Sequence, residues 1–128
     1  MDPAVFEARN KDLEKALNDL RSLIPGIEAA AVVSIEGLPI CSLLPQNIDE
    51  TRVAAMTAAM LSLGERATLE LGKGTLVRIM VEGSDGYMLS VAAGDKAVLT
   101  ISASKTTRIG LIFHDVGKAA TTIGELLE

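Results

Sequence analysis

Val32-Val33-Ser34-Ile35-Glu36-Gly37-Leu38-Pro39-Ile40-Cys41-Ser42 is an apolar run that breaks at Glu-Gly and restarts at Leu-Pro. A β-branched run, a glycine free to take positive φ and a second short apolar run predict a hairpin turning at Glu36-Gly37. Pro39 cannot donate to a ladder, which places the second strand at a sheet edge. The first strand reaches back to Ile27 through EAAAVVSI. The turn carries no catalytic group, so its glycine and proline have structural work before any chemical one.

Upstream, Asp2-Pro3 reads as a helix N-cap followed by proline at the first helical position. Phe6, Leu13, Leu17, Leu20 and Ile24 then follow helical spacing, and Pro25-Gly26 ends the helix. Its opposite face, Glu7, Lys11, Glu14, Lys15 and Asp19, is an ordinary solvated surface.

Downstream, Asn47 with Glu50, or alternatively Asp49, caps a second helix from about Asp49 to about Leu71, closed by Gly72. Val53, Met56, Met60, Leu63 and Ala67 form one stripe, and Ala54, Ala58 and Leu61 carry the apolar surface round a neighbouring side. That is wider than one core contact requires. Either the helix is deeply buried, or one face meets the sheet and the small-residue face meets another helix.

Three strands follow, Thr75 to Glu82, Tyr87 to Ala93 and Lys96 to Ala103, joined by the hairpin signals Gly83-Ser84-Asp85-Gly86 and Gly94-Asp95. They are apolar at nearly every position except Arg78, Ser90 and Thr100, which predicts a sheet covered by helices on both faces. A last helix starts near Thr106-Thr107 and carries Ile109, Ile112, Phe113, Val116, Ala120, Ile123 and Leu127. The order is helix, two strands, helix, three strands, helix, with no linker, repeat or low-complexity segment. The 128 residues suit one domain spanning 1–128.

Composition narrows the function. The net charge of −5, with basic residues scattered among acids, argues against nucleic acid. No apolar run approaches the ~20 residues of a spanning helix, so no membrane partner is expected, and the single Cys41 fits a reducing cytoplasm. Hydrophobic residues make up 48% with only 2% aromatic, a surplus of aliphatic side chains that a second copy of the chain would bury.

Chemistry is scarce. The one histidine, His114, adjoins Asp115 on a helix, where neighbours do not face each other, so no catalytic residue is assigned. One cysteine and one histidine make no zinc site, and no metal or other cofactor is expected. Gly72-Lys73-Gly74-Thr75 has glycines after a helix and before a strand, the reverse of a phosphate loop. Arg52, Arg66, Arg78 and Arg108 suit salt bridges or solvent better than catalysis in trans. Elimination leaves a binding or scaffolding module, not an enzyme. Its unexplained surfaces are the second helix and the run LVRIMV, an aggregation hazard at an open edge unless a second copy pairs with it.

The element order, the hairpin VVSIEGLPICS, the Ala-rich VAAMTAAMLSL, the turns GSDG and GD and the closing helix RIGLIFHDVGKAATTIGELL resemble the roadblock/dynein light chain family over nearly the whole chain. The resemblance implies an α+β, profilin-like fold. In it, a five-stranded antiparallel sheet has the second helix on one face and the terminal helices on the other. It also implies homodimers or heterodimers with a paralogous protein, in which third strands pair and second helices lie together. Family members are non-catalytic scaffolds or regulators, many of them partners of Ras-like small GTPases. A GTPase activator of this kind would reorder its partner's catalytic groups rather than donate an arginine. The expected dimer contacts are Ala54, Thr57, Ala58, Leu61, Val77, Arg78 and Ile79, with Glu65 and Arg66 open to a partner. The alternatives are a dynein-light-chain-like adaptor and a small-ligand sensory domain of PAS or GAF type, which would need a pocket with orienting polar groups.

Overall fold

The computed structural model describes residues 2–128. Helix α1 (Pro3–Leu23) starts at Asp2, whose carboxylate accepts the Ala4 N–H at 3.0 Å. The stripe Leu13, Leu17, Leu20 and Ile24 is buried. Phe6 departs from the expected stripe. It is 48% exposed, because residues 2–8 lie outside the core, and its ring instead sits beside the Arg9 guanidinium.

Strands β1 (Ile27–Ser34) and β2 (Pro39–Leu43) form the expected hairpin. Gly37 takes φ +93°, and Leu38 donates its N–H to the Ser34 hydroxyl while the Ser34 N–H donates to the Leu38 C=O. The sheet order is β2-β1-β5-β4-β3 and every pairing is antiparallel, so β2, opening with Pro39, is indeed an edge.

Helix α2 (Glu50–Glu70) is capped by Asp49, which accepts from the N–H groups of Thr51 and Arg52. Glu50 is diverted to the Ser42 hydroxyl at 2.8 Å, which excludes the box with Asn47. Strands β3 (Arg78–Gly83), β4 (Gly86–Ala93) and β5 (Ala97–Ser104) follow. β3 begins at Arg78 rather than Thr75, since Leu76 is still packed beneath α2 at Gly64. Helix α3 (Ile109–Leu126) begins later than Thr106, because Thr106 and Thr107 turn back to hydrogen-bond Ser104.

Strand alternation separates two layers. Ala30, Val32, Leu89, Leu99 and Ile101 face α1 and α3 and form the main core with Leu13, Leu17, Ile112, Val116 and Ile123. Ala31 and Val33 face α2 at Ala54. At the centre of this second layer three buried hydroxyls join in a chain, Thr57 to Thr100 at 3.2 Å and Thr100 to Ser90 at 2.8 Å. Each has a partner, as buried hydroxyls require. Replacing Thr57 with valine keeps the shape and removes the link between helix and sheet. It is expected to lower stability by ~1–2 kcal/mol, read as a shifted urea midpoint with unchanged slope.

The sheet is covered on both faces only in part. β3 is exposed at five of its six residues, and among the described residues its outer edge has no strand beside it. The expectation of full coverage fails there, because α2 lies mainly over β1 and β2 and reaches β3 only near Ile79.

Candidate dimer and partner interface

The sheet contact of α2 uses its small residues. Ala54 and Thr57 have no exposed surface, and a Cβ at Gly64 would lie 2.9 Å from Ile79 Cδ1. Ala58 is half-buried against Gly37, and Leu61 lies half-buried beside a recess that Ile35, Ala92 and Ala97 also line. Small side chains allow a helix to approach a sheet closely, and here the sheet is their partner.

The large stripe is therefore left on an open flank. Met56 is 54% and Leu63 67% exposed, with Met60 half-buried between them. This inverts the expected division of the helix, in which the small residues were to meet a second helix. Ala54 and Thr57, expected as dimer contacts, are fully buried against the sheet in the single chain and have no exposed side-chain surface there. Periodicity treats both stripes alike. The signal that separates them is the pair Ser90 and Thr100 on the sheet, which calls for a polar helix residue opposite, and only the small face supplies one, at Thr57.

The remaining candidates fall on or near β3. Val77 is 64% exposed, Arg78 is exposed and Ile79 is half-buried beneath Gly64. The Arg78 guanidinium lies 4.5 Å over the Phe113 ring, which fixes it on the α3 side of the sheet. Met80 and Val81 continue the exposed apolar strand. Glu65 and Arg66 are both exposed on α2, and Arg66 is engaged with Glu70 at 3.5 Å. Arg52 is similarly placed by Asp49.

Between the α2 flank and the uncovered corner of the sheet is an apolar recess of about 250 Å³. Ala29, Ala31, Ile48, Val53, Met56 and Met88 line it, with Thr100 and Ser102 as its only polar side chains.

No nucleophile is activated nearby. Burial, with the charges of Glu14 and Glu50, pushes the Cys41 thiol up, away from thiolate. Among the described residues no three His, Cys, Asp or Glu side chains cluster to hold a metal, and no helix is long and apolar enough to cross a membrane. Gly72 and Gly74 take φ of +65° and +83° just after α2, a helix exit and not a phosphate cradle.

Residues 13–103 match the Roadblock/LC7 domain. The chain belongs to the Roadblock/LC7 family. Two uncharacterised proteins of Methanocaldococcus jannaschii are each 38% identical to this Roadblock/LC7 chain over 98 residues, covering 77% of it and 85% of the relative. Among solved structures, the gliding protein MglB from Thermus thermophilus superposes with a TM-score of 0.84 at 14% identity, covering 93% of this chain and 90% of that one. Myxococcus xanthus MglB gives 0.80 at 21% identity, covering 99% and 92%. A Roadblock/LC7 domain from Streptomyces avermitilis gives 0.82 at 18%, covering 88% and 95%. At these identities the structures establish the fold. The expected α+β architecture and the family resemblance both hold.

Proposed function

We propose that this Roadblock/LC7 chain is a non-catalytic cytoplasmic scaffold. It dimerises through the α2 flank and the β3 edge and presents the paired α2 helices to a Ras-like small GTPase. One observation carries the dimer: exposed apolar residues on the α2 flank, Met56 and Leu63, occur together with an exposed apolar strand β3, Val81 on the α2 side and Met80 on the α3 side, whose outer edge is open among the described residues. Large apolar side chains clustered on an exposed helix flank mark interaction surfaces, and an open strand edge invites pairing. A second copy, or a paralogous roadblock chain with the same two features, satisfies both at once.

The GTPase partner is supported by family membership and by the MglB neighbours. The paired helices would offer Arg52, Glu65, Arg66 and Glu70, a mixed-charge surface suited to a protein partner and not to a polyanion. Arg52 and Arg66 are engaged with Asp49 and Glu70 on α2 itself, so an effect on GTP hydrolysis is read as ordering of the GTPase's own groups.

The test is capture from native lysate with the tagged protein as bait, the lysate loaded with GDP or with a non-hydrolysable GTP analogue. Recovery of a small GTPase in one nucleotide state is the expected result. Recovery of none in either state would remove the GTPase half of the proposal and favour a structural adaptor.

A further inference from the structure

The sequence of β3 has a symmetry that bears on how two copies meet. Arg78-Ile79-Met80-Val81-Glu82 runs charge, apolar, methionine, apolar, opposite charge. Its side chains are sorted between the two faces. Arg78 lies over Phe113 and Glu82 pairs with Lys105, both on the α3 side, whereas Ile79 packs under Gly64 of α2. Met80 shares the first face and Val81 the second.

The backbone is sorted too. Gly83 pairs with Gly86 across a two-residue loop, and the closing pair of such a hairpin is hydrogen-bonded. Counting back by alternation, Ile79 and Val81 direct their peptide groups to β4, and Arg78, Met80 and Glu82 direct theirs to the open edge.

We propose that β3 pairs antiparallel with β3 of a second copy in a register centred on Met80, placing Arg78 of each copy opposite Glu82 of the other. This rests on the dimer proposed above and specifies its register. In this register all three outward-facing residues join the intermolecular ladder. Met80 lies opposite Met80, and Ile79 opposite Val81 beneath the two α2 helices. Every other two-fold register is worse. Centring on Arg78 or on Glu82 sets like charges opposite each other, which opposes pairing. Centring on Ile79 sets Arg78 against Met80, and centring on Val81 sets Glu82 against Met80, stranding the charges. Because the two charges lie on one strand, the pairing also selects its partner: a paralogous strand is accepted only if it carries the complementary charges at the same spacing.

The test is sedimentation equilibrium on full-length charge variants. Arg78→Glu alone places glutamate opposite glutamate twice per dimer, and Glu82→Arg alone places arginine opposite arginine. Each is expected to weaken self-association on the order of tenfold or more. Mixing the two variants makes both cross-chain pairs attractive again, so the mixture is expected to form a heterodimer near wild-type affinity. The double variant Arg78→Glu with Glu82→Arg is expected to recover self-association. The double variant also controls for loss of the Phe113 and Lys105 contacts, since it carries both losses.

Weak singles with no recovery in the mixture or the double variant would overturn the register while leaving a dimer. Singles that associate like wild type would overturn it as well. A wild type that stays monomeric would overturn the dimer itself. In a Cys41→Ala background, Met80→Cys is expected to cross-link to its own counterpart on oxidation, since Cα atoms of a hydrogen-bonded pair lie about 5.5 Å apart, within disulfide reach. Cross-linking by Ile79→Cys or Val81→Cys in its place would assign a different centre.

Discussion

Leu63→Asp is expected to convert the protein into a folded monomer. Leu63 is two-thirds exposed in the single chain and makes little contribution to its own core, so melting of the protomer should change little. In the proposed dimer the same side chain is desolvated in both copies, and a carboxylate there must be buried unpaired or keep the surfaces apart. Truncating a central apolar anchor costs ~2 kcal/mol or more, and a charge present twice by symmetry exceeds that, so the dissociation constant should rise ~100-fold or more. Light scattering coupled to gel filtration reads the outcome. Ala58→Asp is the companion, since Ala58 packs beside Gly37 on the other side of the helix and its substitution should act on the fold more than on association. If Ala58→Asp yields a folded monomer and Leu63→Asp a dimer, the helix face has been assigned the wrong way round.

The second large effect is on stability. Gly124→Val is expected to lower stability by ~3 kcal/mol or more, about a 10 °C fall in melting temperature. A Cβ at Gly124 would stand 2.7 Å from the backbone nitrogen of Gly94 and 2.9 Å from the carbonyl carbon of Ala93. Those atoms belong to the turn from β4 to β5 and have no rotamer to yield with, so α3 must lift from the sheet, loosening the neighbouring Ile123 from the core. Gly117 on the same helix supplies the contrast. Nothing lies within 4 Å of a Cβ there, so Gly117→Ala should stabilise by ~0.5–1 kcal/mol through helix propensity alone. Thermal melts of both variants separate close packing from propensity. Equal and opposite small shifts would show that the approach of α3 to the turn is softer than its geometry demands.

Much of the fold was legible where local chemistry and global position agree. Gly37 and Pro39 announce a turn and an edge by backbone restriction, and no tertiary partner can revoke either. Asp2-Pro3 fixes a helix start for the same reason. The limits of β3 and α3 were less legible, because Thr75 to Val77 and Thr106 to Thr107 have strand-like or helix-like composition but include residues drawn into contacts with Gly64 and Ser104.

The site was legible as a pair of elements and not as a set of faces. An apolar edge strand and an over-apolar helix were enough to point to self-association. Their sequences could not say which side of α2 lies on the sheet, because two apolar stripes at helical spacing are equivalent until a partner surface discriminates between them. That surface is assembled from β1, which supplies Ala31 and Val33, and the distant β4–β5 hairpin, which supplies Ser90 and Thr100. By itself the sequence determined the order, the turns and the edge, which are set by φ restriction and residue spacing within a few positions. The tertiary structure alone decided that Met56, Met60 and Leu63 are the open flank, because Thr57 finds its hydroxyl partner, Thr100, only once α2 docks on β5.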